Sequence, residues 1–352
     1  MTEHKIICGD SKNISEIPDK SVSLIITSPP YPMIEMWDEM FENQDSSISM
    51  FLSQGNGIEA FHRMHKLLCK TWDECNRILA PNGFICVNIG DATRTINDSF
   101  QLYSNHTQII NYFSDLGYSV LPDIHWRKPS NAPNKFMGSG MYPAGAYVTY
   151  EHEYILIFRK GEKRFFSDSE KCLRQKSAFF WEERNTWFSD LWEIKGTAQI
   201  VQSHCQGRDR SAAFPFEIPY RLVNMYSIEG DTVVDPFAGI GTTNLACMAS
   251  NRNSIGIEID PYIADIARHS IATAQPVLNR IIESRIVRHL NYIDSLPLEK
   301  RERCYRNEIH GFDVKTKQET AIRIDRLSNV SVTGNGVVSC TYSMQNELLP
   351  LY

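Results

Sequence analysis

The sequence is missing most of what marks a secreted, membrane-spanning or metal-stapled protein. Its nine cysteines are an odd number scattered through 352 residues, and no Cys-x-x-Cys pair occurs. That excludes a disulfide scaffold and a zinc ribbon. It predicts a reducing, cytoplasmic setting and no metal centre. No apolar run approaches the roughly 20 residues of a bilayer span. The opening MTEHKIICGD carries charge and enters a strand-like run at once, so no secretory signal is expected. An excess of positive charge is absent too: 36 Lys+Arg against 42 Asp+Glu give −6. A uniformly basic nucleic-acid coat is thereby excluded, though a local basic cleft is not. Internal repeats and low-complexity segments are also lacking. What remains is ordinary globular usage, 42% hydrophobic and 22% charged, long enough for a large core.

Strand and helix patterns alternate along the chain. Lys5–Cys8 is a short apolar run ended by Gly9-Asp10. Val22–Ile26 reads as a buried strand, stopped by Thr27-Ser28-Pro29-Pro30-Tyr31 because two prolines cannot continue a ladder. Residues 35–57 read as polar and loop-like, with the acids Glu35, Asp38, Glu39 and Glu42. A helix follows, with Ile58, Phe61, Leu68, Trp72, Cys75 and Leu79 at helical spacings, ended by Pro81-Asn82-Gly83. Phe84–Ile89, Ser119–Trp126 and Tyr154–Phe158 read as strands, Ile109–Leu116 as a short helix, and Lys128–Ala146 as a Gly/Pro/Asn/Lys-rich loop. Helix Glu217–Ser227, strand Thr232–Val234, helix Asn244–Ala249, strand Ser254–Ile257 and a helix from Pro261 form a βαβα run. Such alternation predicts a mostly parallel sheet flanked by helices. Beyond about Gln275 a charged helical segment precedes Val330–Tyr342, whose central Asn335-Gly336 signals a hairpin.

Two turns carry the chemistry. In Asp235–Thr243, glycines 239 and 241 let backbone approach a ligand, and Glu258 ends the next strand 17 residues after Gly241, where a ribose-binding acid belongs. No phosphate loop is present, and Asn244 stands where a third glycine would. An acid at the loop's start repels phosphate and suits a cationic sulfonium or amine. The bland alternative is a tight structural turn. In the second turn, Pro29 and Pro30 lack N–H groups, so their carbonyls present acceptors outward. An exocyclic amine is a poor nucleophile while its lone pair is delocalised into the ring, and two acceptors around it favour pyramidal geometry. Tyr31 offers a face for stacking. Alone, this turn reads equally as a strand terminator with a surface tyrosine.

Together, DPFAGIGTT (235–243) and TSPPY (27–31) resemble the cofactor and catalytic loops of the S-adenosylmethionine-dependent DNA amino-methyltransferases. Gly9-Asp10, NIGDA (88–92), EYILIFRKG (153–161) and SAAFPFEIPYRLV (211–223) resemble weaker blocks of the same family. The likeness covers roughly residues 5–30, 84–92, 153–161 and 211–270. The catalytic loop precedes the cofactor loop, which is the permuted, beta-type arrangement. The resemblance implies a Rossmann-like α/β methyltransferase fold, circularly permuted, with an inserted DNA-recognition region and a C-terminal extension. Catalytic parts would occupy 1–158, target recognition 159–205, cofactor binding 206–274 and an extension of unassigned role 275–352.

By the same resemblance, Ser28, Pro29, Pro30 and Tyr31 are catalytic. Asp10 approaches the cofactor adenine, Phe214 and Pro215 its methionine part, and Asp235, Phe237, Gly239, Gly241, Thr242 and Glu258 complete the cofactor set. Ser at position 28 points to cytosine N4, with adenine N6 as the alternative. Cytosine C5 chemistry needs a Pro-Cys loop, and the chain has no Pro-Cys dipeptide. The target base must leave the duplex to reach a sheet-top pocket. Residues 159–176 hold seven Lys/Arg against three acids. Arg127, Lys128, Lys163, Arg164, Arg174 and Lys176 are the DNA-binding candidates, with Lys135 adding charge and His204, Gln206, Arg208 and Arg210 a second polar cluster. Expected partners are duplex DNA and, by family habit, a restriction endonuclease of the same site. The rival readings are an RNA or protein methyltransferase, which would carry Asn-Pro-Pro-Tyr, and a DNA-binding subunit without activity.

Overall fold

The computed structural model describes residues 1–128, 137–138, 141–195 and 214–344. Lys135 and the cluster His204, Gln206, Arg208 and Arg210 lie outside the described residues, as does the start of the 211–223 block. A ten-stranded sheet organises the rest. Its strands are β1 (Thr2–Cys8), β2 (Val22–Thr27), β3 (Leu79–Ile89), β4 (Ser119–Arg127), β5 (His152–Arg159), β6 (Leu191–Glu193), β7 (Thr232–Asp235), β8 (Asn253–Glu258), β9 (Asp325–Val332) and β10 (Val338–Met344), in the spatial order β6-β4-β5-β3-β2-β7-β8-β1-β10-β9.

The central strands β3, β2, β7, β8 and β1 are mutually parallel. Register places Val233 opposite Leu24, Val234 opposite Ile25, Asp235 opposite Gly256, Thr27 opposite Val87 and Cys8 opposite Glu258. The carboxyl ends of these strands therefore form one rim, the edge at which ligands bind in open parallel sheets. Strand β5 runs antiparallel between β3 and β4. Its first residues consequently lie at the rim and its last, Arg159, at the opposite edge.

Side chains alternate between two cores. Leu24, Ile26, Cys86, Ile155 and Ile157 face a layer containing α3 (Glu217–Tyr226), α5 (Pro261–Thr273) and α6 (Gln275–Asp294). Val22, Ile25, Ile85, Val87, Leu156 and Phe158 face α1 (Gly57–Ile78) and α2 (Asn105–Asp115). In α1 the residues Ala60, Phe61, Met64, Leu68, Trp72 and Cys75 are buried, whereas Ile58 points outward. The Asn56 side chain caps α1 by accepting from the Glu59 amide. Asp260 caps α5 likewise, with Pro261 at its first position.

Two expectations are corrected. Residues 35–57 are not one loop: they hold a 3-10 turn, Glu35–Trp37, and the short helices Asp38–Glu42 and Ser47–Ser53. Phe41 and Ile48 anchor that segment in the core, and Asp38 pairs with Arg94 at 2.6 Å rather than facing solvent alone. Strand β3 begins at Leu79, before the Pro81-Asn82-Gly83 stop, because Asn82 takes φ +70° and the chain bulges without leaving the ladder. The C-terminal segment forms the expected hairpin. Its hairpin turns at Gly336 (φ +71°), and β10 pairs antiparallel with β1, completing the sheet beyond that strand.

Candidate active site

Thr27 and Asp235 end neighbouring strands, and they are bonded. Asp235 is buried and its carboxylate accepts from Thr27 Oγ1 at 2.7 Å, Thr243 Oγ1 at 2.6 Å and the Phe237 amide at 3.0 Å. Burial raises its pKa to about 6 despite these donors. The expected role of Asp235, presenting charge to a cationic ligand, is corrected: both oxygens are spent on the protein. The residue ties the Thr-Ser-Pro-Pro-Tyr turn to the glycine turn, so the two loops meet at one rim as one braced unit.

The glycine turn fits a ligand lying over it. Gly239 has φ +51°, and a Cβ there would meet no atom of the described residues within 4 Å, so the space before it is open. Gly241 (φ +84°) precedes α4 (Thr242–Met248). The Glu258 carboxylate accepts from the Gly239 amide at 3.0 Å and the Asp260 amide at 2.9 Å, which fixes it at the end of β8. Gly9 donates its amide to the Glu258 carbonyl at 2.9 Å, bringing Asp10 beside that acid. Phe237 packs edge-on against Trp72 beneath the loop. Helix α3 leads into β7 at the opposite edge, so the segment before α3, with buried Phe214 and Pro215, lies towards the rim.

Sequence reasoning passed over one glycine, Gly256. A Cβ there would come within 2.7 Å of Ala238 Cβ and of Asn244 Oδ1, and 2.9 Å of Ile6 Cδ1. It provides the close strand-to-loop approach that a third glycine in the turn would otherwise give. Asn244, in that third position, is buried and donates to Ser254 Oγ at 2.9 Å.

At the Thr-Ser-Pro-Pro-Tyr turn Ser28 and Tyr31 are joined by two residues to which no role was assigned. The Tyr31 hydroxyl lies 3.0 Å from Ser28 Oγ and donates to Glu153 Oε2 at 2.8 Å. The Asn88 amide donates to Tyr31 at 2.8 Å and to Glu153 Oε2 at 2.7 Å, and lies 3.4 Å from Ser28 Oγ. Lys128 pairs with the other Glu153 oxygen and lies over the Trp126 ring. Burial, with the Glu153 charge beside it, pushes the Tyr31 phenol well above its usual value. Gly90 allows this packing: a Cβ there would press to 3.1 Å from the tyrosine ring and 3.2 Å from Glu153. Asn88 lies in NIGDA and Glu153 in EYILIFRKG, and the available signal is a polar side chain at the rim end of a buried strand. The Asn88 Oδ1 is a buried acceptor without a partner among the described residues.

The DNA-binding candidates divide between the two edges. Arg127 pairs in register with His152 at the rim, and Lys128 follows it. Lys163, Arg164, Arg174 and Lys176 belong to the segment after Arg159, at the far edge, on the order of 20 Å away along β5. Arg164 pairs there with Asp231 (2.7 Å) and Glu170 (3.0 Å), Arg174 lies over Phe166, and the Lys176 carbonyl accepts from Arg323. The 159–176 run thus lies apart from the rim that carries Arg127 and Lys128. Antiparallel β5 carries it away from the site, and Asp231 and Glu170 neutralise Arg164.

Among the described residues no group of three or more His, Cys, Asp or Glu could hold a metal ion, and no helix is long and apolar enough to cross a membrane.

The sequence model of the N6/N4 DNA methylases matches residues 22–269. This chain belongs to that family. The DNA methylase is 48% identical over 326 residues to the type II methyltransferase M.MthZI of Methanothermobacter thermautotrophicus, covering 92% of this chain and 90% of that protein. It is 48% identical over 285 residues to M.MjaI of Methanocaldococcus jannaschii, covering 78% and 93%. Among solved structures it resembles the Thermus thermophilus protein TTHA0409, solved with S-adenosyl-L-methionine, at 29% identity and TM-score 0.59, covering 76% of this chain and 93% of that one. The cytosine-N4-specific PvuII DNA methyltransferase shares the fold at 21% identity and TM-score 0.52, covering 76% and 86%. The methylase uses S-adenosylmethionine as methyl donor.

Proposed function

We propose that this methylase modifies the N4 amine of cytosine in duplex DNA at a specific sequence. The observation carrying this reading is the Thr27–Asp235 bond, which sets an acceptor-rich Ser-Pro-Pro turn beside an open glycine turn. Ser28 supports cytosine over adenine, since family members with Ser-Pro-Pro-Tyr mostly act on cytosine N4. Adenine N6 is the second reading, because the same acceptors suit its amine.

Gly239, Gly241 and Thr242 would lie along the cofactor, Glu258 and Asp10 at its nucleoside end, and Phe214 and Pro215 at its methionine end. The bound sulfonium supplies the methyl group. The protein's part is orientation. Tyr31 stacks on the extruded base, while Ser28 Oγ and the Pro29 carbonyl accept from its amine and turn the nitrogen lone pair out of the ring plane. No group at the turn is a strong base, so the surplus proton departs to water. Arg127 and Lys128 would meet backbone phosphates at the rim. A partner endonuclease of the same recognition sequence fits a chain whose relatives are named type II methyltransferases.

Expressing the gene in a methylation-free host and sequencing its DNA with a method that separates N4-methylcytosine from N6-methyladenine tests the reading. N4-methylcytosine in a fixed sequence context is expected. N6-methyladenine transfers the assignment to the second reading, and unmodified DNA overturns both.

A further inference from the structure

A serine hydroxyl can donate or accept, and an amine target requires it to accept. We infer that Glu153 fixes this choice: acting through Tyr31, it makes Ser28 an acceptor toward the target amine, so Glu153 is a positioning residue. The inference rests on the amine-methylation reading above.

The argument is a count of protons. The Tyr31 hydroxyl has one hydrogen, and it goes to Glu153 Oε2 at 2.8 Å. In the 3.0 Å contact between Tyr31 and Ser28 the tyrosine oxygen must therefore accept and Ser28 must donate. The only hydrogen of Ser28 Oγ is then committed inward, and a lone pair remains for the amine. Asn88 reinforces the same polarity. Its amide nitrogen gives one hydrogen to Glu153 at 2.7 Å and one to Tyr31 at 2.8 Å, and has no acceptor to offer on that side. Lys128 on the second carboxylate oxygen keeps a cation beside Glu153. The Glu153 side chain is 12% exposed, so water competes little for these bonds. The phenol, held protonated by burial and by the Glu153 charge, remains a donor.

Glu153→Gln changes the polarity without changing the shape. Lys128 holds the new amide's oxygen, so its nitrogen faces Tyr31 and Asn88 loses its acceptor there; Tyr31, without its carboxylate acceptor, donates to Ser28, and the Ser28 hydrogen turns toward the amine, donor against donor. Removing one oriented hydrogen-bond partner from an active site costs roughly 100-fold in kcat. Single-turnover methylation of duplex DNA should show that loss in Glu153→Gln, with KM for DNA and affinity for S-adenosylhomocysteine within twofold of wild type. Tyr31→Phe keeps the stacking ring and cuts the relay, so it should lose a similar factor in kcat. Adding Glu153→Gln to Tyr31→Phe should then cost less than threefold more, whereas a merely structural Glu153 would cost the same factor in either background. If Glu153→Gln does not bind S-adenosylhomocysteine, the Tyr31→Phe rate decides alone. A kcat within twofold of wild type in Tyr31→Phe, or in a cofactor-binding Glu153→Gln, overturns the relay while leaving the amine-methylation reading intact. A wild-type protein that transfers no methyl group to DNA overturns both.

Discussion

Burial holds the Asp235 carboxyl near 6, although two threonine hydroxyls and an amide pull it down. Because the folded value lies above that of the unfolded chain, this group favours folding most at low pH. Its contribution is lost as pH rises through about 6. Thr27→Val removes one donor while keeping the shape, so the carboxyl rises further and more of that stability is gone at neutral pH. Urea unfolding should show a loss of about 1.5–3 kcal/mol at pH 7.5, and a smaller one at pH 5, where the wild-type carboxyl is largely protonated. Equal losses at the two pH values would show that Thr27 does not bond a charged Asp235. The sequence placed an acid at the head of a glycine turn, but not its direction. Whether such a side chain faces ligand or core depends on the neighbouring strand, and Thr27 is 208 positions away in the chain. Glu153 escaped notice for a similar reason: its partners Tyr31, Asn88 and Lys128 come from three different segments.

Elements were more legible than partners. The double proline ending β2 and the glycine turn ending β7 are local signals, written where they act. The helix over 57–78 follows from a periodic apolar face. The short helices within 35–57 were missed because each is only five or seven residues long, and both are held by tertiary contacts such as buried Phe41 and Ile48 rather than by a repeating pattern. Gly256 was missed because a strand glycine announces close approach only when the approaching chain is known. Gly256→Ala should cost about 1–3 kcal/mol and lower cofactor affinity at least tenfold, since Ala238 and Asn244 must shift. Gly230→Ala is the control: strain at φ +83° lowers stability, but the added carbon meets nothing and lies at the far edge, so calorimetry should find cofactor affinity unchanged. Matching losses of affinity in the two variants would contradict the role given to Gly256.

At the scale of the molecule, one sheet gathers turns that the chain order separates. Parallel β2 and β7 are neighbours although some 200 residues lie between them, and the order of the two loops along the chain leaves their meeting at the rim unaffected. The C-terminal hairpin was visible at Asn335-Gly336, but its seat against β1 was not, because strand pairing is non-local. Charge counting could not locate the 159–176 run for the same reason: a basic run has no direction until β5 gives it one. Arg127→Gln at the rim should raise KM for DNA and shallow its salt dependence by about one unit. Lys163→Gln at the far edge should do neither, and the reverse result would move the DNA to the other side of the sheet.

All of this depends on two braced turns presenting an exocyclic amine to a methyl donor. The direct measurement incubates the purified methylase with methyl-labelled S-adenosylmethionine and unmethylated duplex DNA, digests the DNA to nucleosides and separates them. The label is predicted in N4-methyldeoxycytidine. Label on a ring carbon, or none on DNA, would contradict the account.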